Sequence, residues 1–270
     1  MSGNRHYDSL CDGLARHAAG GIAVAFSGGV DSTVLLAVLR EMRERAPFRL
    51  EALTQHAELH REGELIEARR IAEAWGVPLR CFSVDLLAIP EVRHNAPERC
   101  YACKRALFTH FREYATQQGL ATLMDGTNAD DLRAHRPGRR AALDLGVVSP
   151  LADCGLTKDD IRALAKDLGL SVASAPATPC LATRFPYNTE LTPDLLRRVA
   201  EGEDILRHHL PATCNLRLRV HGALGRIEVD PEHLAALLPH AETIAADLRR
   251  LGFAPATLDL SGFRSGSMDL

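Results

Sequence analysis

No stretch of the 270 residues stays apolar long enough to cross a bilayer, and the first twenty, MSGNRHYDSLCDGLARHAAG, lack the apolar centre of a secretory signal. Both absences lead to the expectation of a cytoplasmic protein with no membrane partner. There is no block of like charge either. The chain carries 32 Lys+Arg against 35 Asp+Glu, a net charge of −3 at pH 7, so a broad electrostatic surface for nucleic acid is not expected, although a local basic cleft remains compatible. Internal repeats and low-complexity tracts are missing. The cysteines number seven; an odd count in a cytosolic setting argues against a disulfide framework and leaves chemistry or metal binding as the use for some of them. The length allows one large or two modest domains with a real core.

Two familiar phosphate loops are also lacking: neither G-x-x-x-x-G-K-[ST] nor G-x-G-x-x-G occurs. Residues 24–32, VAFSGGVDS, supply another kind. AVAF reads as a short buried strand and STVLLAVLREM as the helix after it. A strand that turns into a helix through glycines exposes backbone N–H groups and the positive end of a helix dipole, which together hold phosphate. Gly28 and Gly29 let the backbone approach an anion closely, and Ser27 and Ser32 add hydroxyl donors. SGGVDS resembles the PP-loop of the ATP pyrophosphatases, which cut ATP between its α and β phosphates, adenylate an acceptor oxygen and release pyrophosphate. The same residues also fit an ordinary turn with an N-cap serine.

Strands and helices alternate along the first two thirds. Strands are expected at 49–54, 78–87, 121–128 and 144–151, and helices at 58–75, 103–119 and 156–170, the last capped by Thr157 with Asp160 three residues on. Such alternation implies a parallel sheet, whose ligands bind at the carboxyl ends of the strands. The loop after the first strand, the start of DGTNADD and the end of the second strand are therefore expected to line one crevice. The texture changes after residue 185, where FPYNTELTP reads as a linker. A helix, a hairpin around His221–Gly225, one or two further helices and a last strand follow. The expected fold class is α/β, a Rossmann-like PP-loop domain over 1–186 with a small α+β domain over 187–270.

Further motifs extend the resemblance over nearly the whole chain: RCYACKRALF (99–108), DGTNADDL (125–132), RPGRRAALDLGVVSPL (136–151), PCLATRFPY (179–187), RVHGALGRIEV (219–229) and LDLSGFRSGSM (258–268). Together with SGGVDS they make the chain similar to the LarE family, ATP-dependent sacrificial sulfur transferases that serve the nickel-pincer cofactor of lactate racemase. The stretch TQHAELHREGEL after the second strand departs from the family pattern, being more polar and richer in histidine. The resemblance implies adenylation of a carboxylate on a pyridinium dicarboxylate mononucleotide, then displacement of AMP by sulfur to give a thiocarboxylate. ATP is the implied cosubstrate, and magnesium the implied ion, screening the triphosphate and stabilising the leaving pyrophosphate.

Carried onto this sequence, the nucleotide site comprises Ser27, Gly28, Gly29, Asp31, Ser32, Gly126 and Thr54. Asp31 and Asp131 are candidates for magnesium, and each serves equally to cap a helix or turn. Asp130 and Asn128 stand beside them. Cys180 is the catalytic candidate: in the family pattern the cysteine of the C-L-A-[ST]-R segment attacks the acyl-adenylate and surrenders its sulfur. A nearby Arg184 would favour its thiolate; a buried structural cysteine is the plainer alternative. Cys100 and Cys103 form a C-x-x-C pair with no second pair to complete a zinc site. With Cys180 they give three thiolates for a [4Fe–4S] cluster whose open iron would carry a sulfide. The sequence favours that route, because an enzyme that sacrifices its own cysteine has no evident need for the pair.

Substrate binding is expected from Arg184, Arg217, Arg219 and Arg264, since guanidinium forks grip phosphate and carboxylate. Arg217 and Arg219 lie two apart on a predicted strand and share a face, with Glu228 orienting them or holding a metal. Other readings of the chain are a tRNA thiolase, disfavoured by the charge balance, and an amide-forming ligase, for which the chain is too short to include an ammonia source. A third is a non-enzymatic ATP-binding regulatory module, which leaves the cysteine motifs unexplained. A homo-oligomer is expected from the apolar C-terminal helices.

Overall fold

The computed structural model describes residues 4–133, 137–264, 266 and 268. They divide into two compact units. One holds the residues up to 57 together with 62–84 and 100–175; the other holds 58–61, 85–99 and the chain from 176 onward. Residue 136 of the RPGRR stretch and residues 265 and 267 of the last motif lie outside the described residues.

The first unit starts with α1 (Arg5–Ala18), β1 (Ile22–Ala25), α2 (Val30–Arg45), β2 (Leu50–His56), α3 (Glu62–Ala74) and β3 (Leu79–Ser83). A short α4 (Pro90–Arg93) belongs to the second unit, after which α5 (Arg99–Gln117) leads back to β4 (Thr122–Met124). The short α6 (Ala129–Arg133), α7 (Pro137–Asp144), α8 (Pro150–Asp153) and α9 (Lys158–Asp167) complete this unit. Its sheet is parallel throughout, in the order β3-β2-β1-β4. The alternation of a strand sorts the core: Ile22 and Val24 meet Leu10, Leu36, Leu39 and Ile161 on one side, while Ala23 and Leu53 meet Phe108, Phe111 and Ala142 on the other. Both faces are thus covered by helices, as a parallel sheet requires.

The strand expected at 144–151 is not formed as such. It shrinks to one parallel bridge between Met124 and Val148. Gly146, at a φ of 62°, turns the chain before it, and Pro150, without an N–H to pair, opens α8 immediately after it. The cap at Thr157 is as expected: its hydroxyl accepts from the Asp160 N–H, and Asp160 Oδ2 answers the Thr157 N–H at 3.0 Å.

In the second unit α10 (Pro193–Arg207) precedes the hairpin of β5 (Leu216–His221) and β6 (Leu224–Val229). Short α11 (Leu234–Leu237), α12 (Ala241–Arg250) and β7 (Ala256–Leu258) follow, β7 pairing parallel to β6. A glycine in mid-helix costs about 1 kcal/mol against alanine, and α10 holds one at Gly202. A Cβ there would meet a Leu218 methyl at 2.5 Å, so the glycine lets α10 lie close on the sheet. Among the described residues no helix is long and apolar enough to cross a membrane.

Candidate active site

At the carboxyl end of β1 the chain bends through Gly28, whose φ of 76° is one that L side chains rarely adopt. Gly29 is the N-cap of α2, and no side chain caps that helix. The N–H groups of its first turn are left for another acceptor, with the positive end of the dipole behind them. Two serines brace the loop. Their hydroxyls stand 3.2 Å apart, Ser27 Oγ accepts from the Gly29 N–H, and Ser32 Oγ accepts from the Ser27 N–H while donating to the Gly29 carbonyl. This is a backbone cradle of the size and polarity that phosphate oxygens need.

The loop after β4 comes against the same helix. A Cβ on Gly126 would sit 2.8 Å from the Ser32 nitrogen, so only glycine permits the approach. Asn128 donates its amide to Asp31 Oδ1 at 3.2 Å and accepts from the N–H groups of Asp130 and Asp131, both at 3.0 Å. Asp131 Oδ2 accepts in return from the Asn128 N–H. Buried Asp125 takes bonds from Thr127 and Ser149, which fixes the turn itself. Two of the three elements expected to meet, the loop after β1 and DGTNADD, are therefore in contact. Thr54 lies buried in β2, two residues before the strand ends.

Lys158 joins this site without having been singled out in the sequence. It is the first residue of α9, where the helix dipole disfavours a cation, and its Nζ reaches Asp31 Oδ2 at 2.5 Å. Its own N–H goes to Asp130 Oδ2 at 2.8 Å. A Walker loop carries a lysine within itself; here the SGGVDS loop lacks one, and the cation comes from 127 residues further along the chain. The signal that could have found it was the lysine's position at the start of a capped helix, against the dipole rule.

In the second unit, arginines and glutamates are buried together. Arg217 and Arg219 share a face of β5, opposite Glu228 and Arg226 of β6. Arg219 donates to Glu228 at 2.9 Å and to the Thr183 carbonyl at 2.8 Å, while Arg226 holds the other Glu228 oxygen at 3.0 Å. Arg184 grips Glu203 through two parallel bonds of 2.8 and 3.0 Å. Glu203, in α10, was not foreseen in the sequence. Burial pushes its carboxyl up, but Arg184 and Arg61 outweigh that and hold it below the ordinary range. Arg217 is different. Its guanidinium donates to the Leu216 and Ala177 carbonyls and lies 4.9 Å from the centre of the Phe263 ring. Among the described residues no carboxylate stands within ion-pair distance of it. Burial, with the Arg184 charge beside it, brings its pKa down to about 10. A buried guanidinium bonded only to carbonyls keeps its positive charge without a hydrogen-bonded counter-ion, at a cost in desolvation. Arg264 is exposed, next to Phe263.

All seven cysteines are free thiols. Burial raises the pKa of Cys11, Cys154 and Cys214, which makes them poor nucleophiles. Cys180 is half-buried and opens a tight turn over Leu181–Arg184. Its carbonyl accepts from the Thr183 N–H, the Thr183 hydroxyl and Arg184. Arg184 thus spends its hydrogen bonds on Glu203, on Thr183 Oγ1 and on the Pro179 and Cys180 carbonyls. Cys100 and Cys103 stand one turn apart on α5, Cys100 exposed. Among the described residues no three His, Cys, Asp or Glu side chains gather as a metal site. Cys100 and Cys103 belong to the first unit and Cys180 to the second. Magnesium takes oxygen donors, and the Asp31 and Asp131 carboxylates beside the nucleotide loop are donors of that kind.

Residues 4–135 match the model of the PP-loop domain family. The chain is 33% identical over 248 residues to the pyridinium-3,5-bisthiocarboxylic acid mononucleotide synthase of Lactiplantibacillus plantarum, covering 92% of this chain and 88% of that protein. An uncharacterised protein of Methanocaldococcus jannaschii is 30% identical, over 90% of this chain and 91% of its own. The tRNA-specific 2-thiouridylase of Methylobacterium nodulans is 29% identical, with 85% and 73% covered. SGGVDS thus lies within a matched PP-loop domain, and the chain belongs to the LarE family of ATP-dependent sulfur transferases.

Proposed function

We propose that the protein adenylates the carboxylates of a pyridinium-3,5-dicarboxylate mononucleotide and replaces AMP with the sulfur of Cys180, toward a nickel-pincer cofactor. The observation that carries the substrate class is Arg217, buried and charged with no carboxylate partner among the described residues. Arg219 lies on the same strand face, already paired with Glu228, so Arg217 is the guanidinium best placed for the recognition that a nucleotide's phosphate calls for. The name of the Lactiplantibacillus plantarum relative points to the same substrate.

The chain's groups divide the work. The loop amides, Ser27 and Ser32 hold the triphosphate; Lys158 can leave Asp31 for the phosphate oxygens. Asp31 and Asp131 would hold magnesium, which screens the triphosphate. A substrate carboxylate oxygen attacks the α-phosphorus, and the bond to the β-phosphate oxygen breaks. A carboxylate is a poor electrophile, whereas its anhydride with AMP has a good leaving group. The Cys180 thiolate then attacks the acyl carbon and AMP departs with the electron pair. Loss of the Cys180 Cα proton and cleavage of Cβ–Sγ leave the thiocarboxylate and a dehydroalanine.

The test is intact-mass spectrometry of the anaerobically purified protein after turnover with ATP, magnesium and substrate. A loss of about 34 Da, one H₂S, mapped to Cys180 is expected. Iron-containing protein that turns over repeatedly at unchanged mass would transfer the sulfur role to a cluster. ADP with orthophosphate, in place of AMP with pyrophosphate, would overturn the adenylating reading. Net charge and the lower identity to the tRNA thiouridylase favour the small substrate over tRNA.

A further inference from the structure

The polar stretch that departs from the family pattern after β2 has a defined place in the second unit. Arg61 donates to Asp204, to Glu203 Oε2 at 3.2 Å and to the Ala200 carbonyl at 2.9 Å, all on α10. Burial works against its charge, but Glu203 and Asp204 raise its pKa above the ordinary arginine range, so it stays a cation. Glu203 is the hub of this group. Oε1 accepts from Arg184 Nε and from the Leu218 N–H at 2.9 Å, and Oε2 from Arg184 Nη2 and Arg61. With four donors on two oxygens, its acceptor capacity is filled.

Two routes run from Arg61 to the backbone around Cys180. The first passes through Glu203 to Arg184, which donates to the carbonyls of Pro179 at 2.7 Å and Cys180 at 3.3 Å. The second is shorter. Arg61 anchors the tripeptide Leu59–Arg61, and the Leu59 carbonyl accepts the Leu181 N–H at 2.9 Å. Cys180 is thus held at its own carbonyl by one route and at the next residue's N–H by the other. Neither route touches the sulfur.

We infer that Arg61 is a positioning residue for Cys180, fixing the backbone on both sides of the thiol through Glu203–Arg184 and through Leu59. The inference rests on the reading of Cys180 as sulfur donor. A backbone loosened by an ångström costs such a nucleophile about 10- to 100-fold in rate, while a triphosphate cradle made of loop amides does not depend on it.

The experiment uses Arg61→Ala and Arg61→Lys in the full chain and compares three rates: ATP-dependent pyrophosphate release, thiocarboxylate formation, and carbamidomethylation of Cys180 by iodoacetamide, read by peptide mass. Buried Cys214 is the internal control, since general unfolding would expose it as well. For Arg61→Ala the expected result is pyrophosphate release within about twofold of the parent, thiocarboxylate formation down about tenfold, and Cys180 alkylation faster by about fivefold with Cys214 unreacted. Arg61→Lys, which keeps the charge for Glu203 and Asp204, should recover most of the transfer rate. Unchanged Cys180 alkylation and transfer in Arg61→Ala would overturn the inference. So would Cys214 reacting in step with Cys180 in both variants, which marks a merely structural role. Cys180→Ala run in parallel separates the two readings: if it still forms thiocarboxylate, Cys180 is not the donor, whatever Arg61 does to its alkylation.

Discussion

The nucleotide loop and the buried arginine face concentrate positive potential by opposite means. The loop uses main-chain N–H groups and a helix end, and every residue of it lies within six consecutive positions. The arginine face uses side chains gathered from the Cys180 turn, α10 and the hairpin; among the described residues Arg184 and Arg219 are paired with carboxylates and Arg217 is not. A backbone site is intolerant of added atoms and indifferent to which side chains surround it. A side-chain site tolerates neighbours but fails when a single counter-charge is withdrawn.

Glu203→Gln should have the largest consequence. Withdrawing a buried carboxylate from two arginines costs about 3–5 kcal/mol, read as a drop in the urea midpoint, while the loop's nucleotide affinity is retained in folded protein. The pH dependence follows the same sign. Glu203 is depressed in the folded state, so its stabilisation is complete above the ordinary carboxylate range and is lost as pH falls through its lowered value. Acid titration of the parent against Glu203→Gln should show the difference shrinking below pH of about 4.

Gly126→Ala comes next. Its Cβ would press on the Ser32 nitrogen, and pyrophosphate release should fall about 100-fold with little change in global stability. A small effect would mean that the DGTN turn can retreat, and the contrast between rigid loop and adaptable face would weaken. Lys158→Gln is the mildest. Losing one charge-assisted contact to phosphate should raise the KM for ATP about tenfold, and a salt-insensitive KM in the parent would argue that the lysine stays on Asp31.

The same division explains what could be read in advance. SGGVDS, the Thr157 cap and the parallel sheet were legible because their causes are local: glycine at a bend, a hydroxyl three residues ahead of a carboxylate, apolar alternation. The strand expected at 144–151 failed for a local reason given too little weight, Gly146 and Pro150 flanking Val148. Lys158 and Arg61 were missed because their partners lie 127 and 142 residues away; no spacing rule joins them. Glu203 looked like any charged position of an amphipathic helix, and only its four donors reveal its role.

Because residues 58–61 and 85–99 are built into the second unit, that unit is not a detachable cassette. A gene fragment beginning at residue 187 would encode Glu203 stripped of both Arg61 and Arg184, an orphan charge in an apolar interior. A cut at the apparent linker would therefore separate Glu203 from both of the arginines that neutralise it.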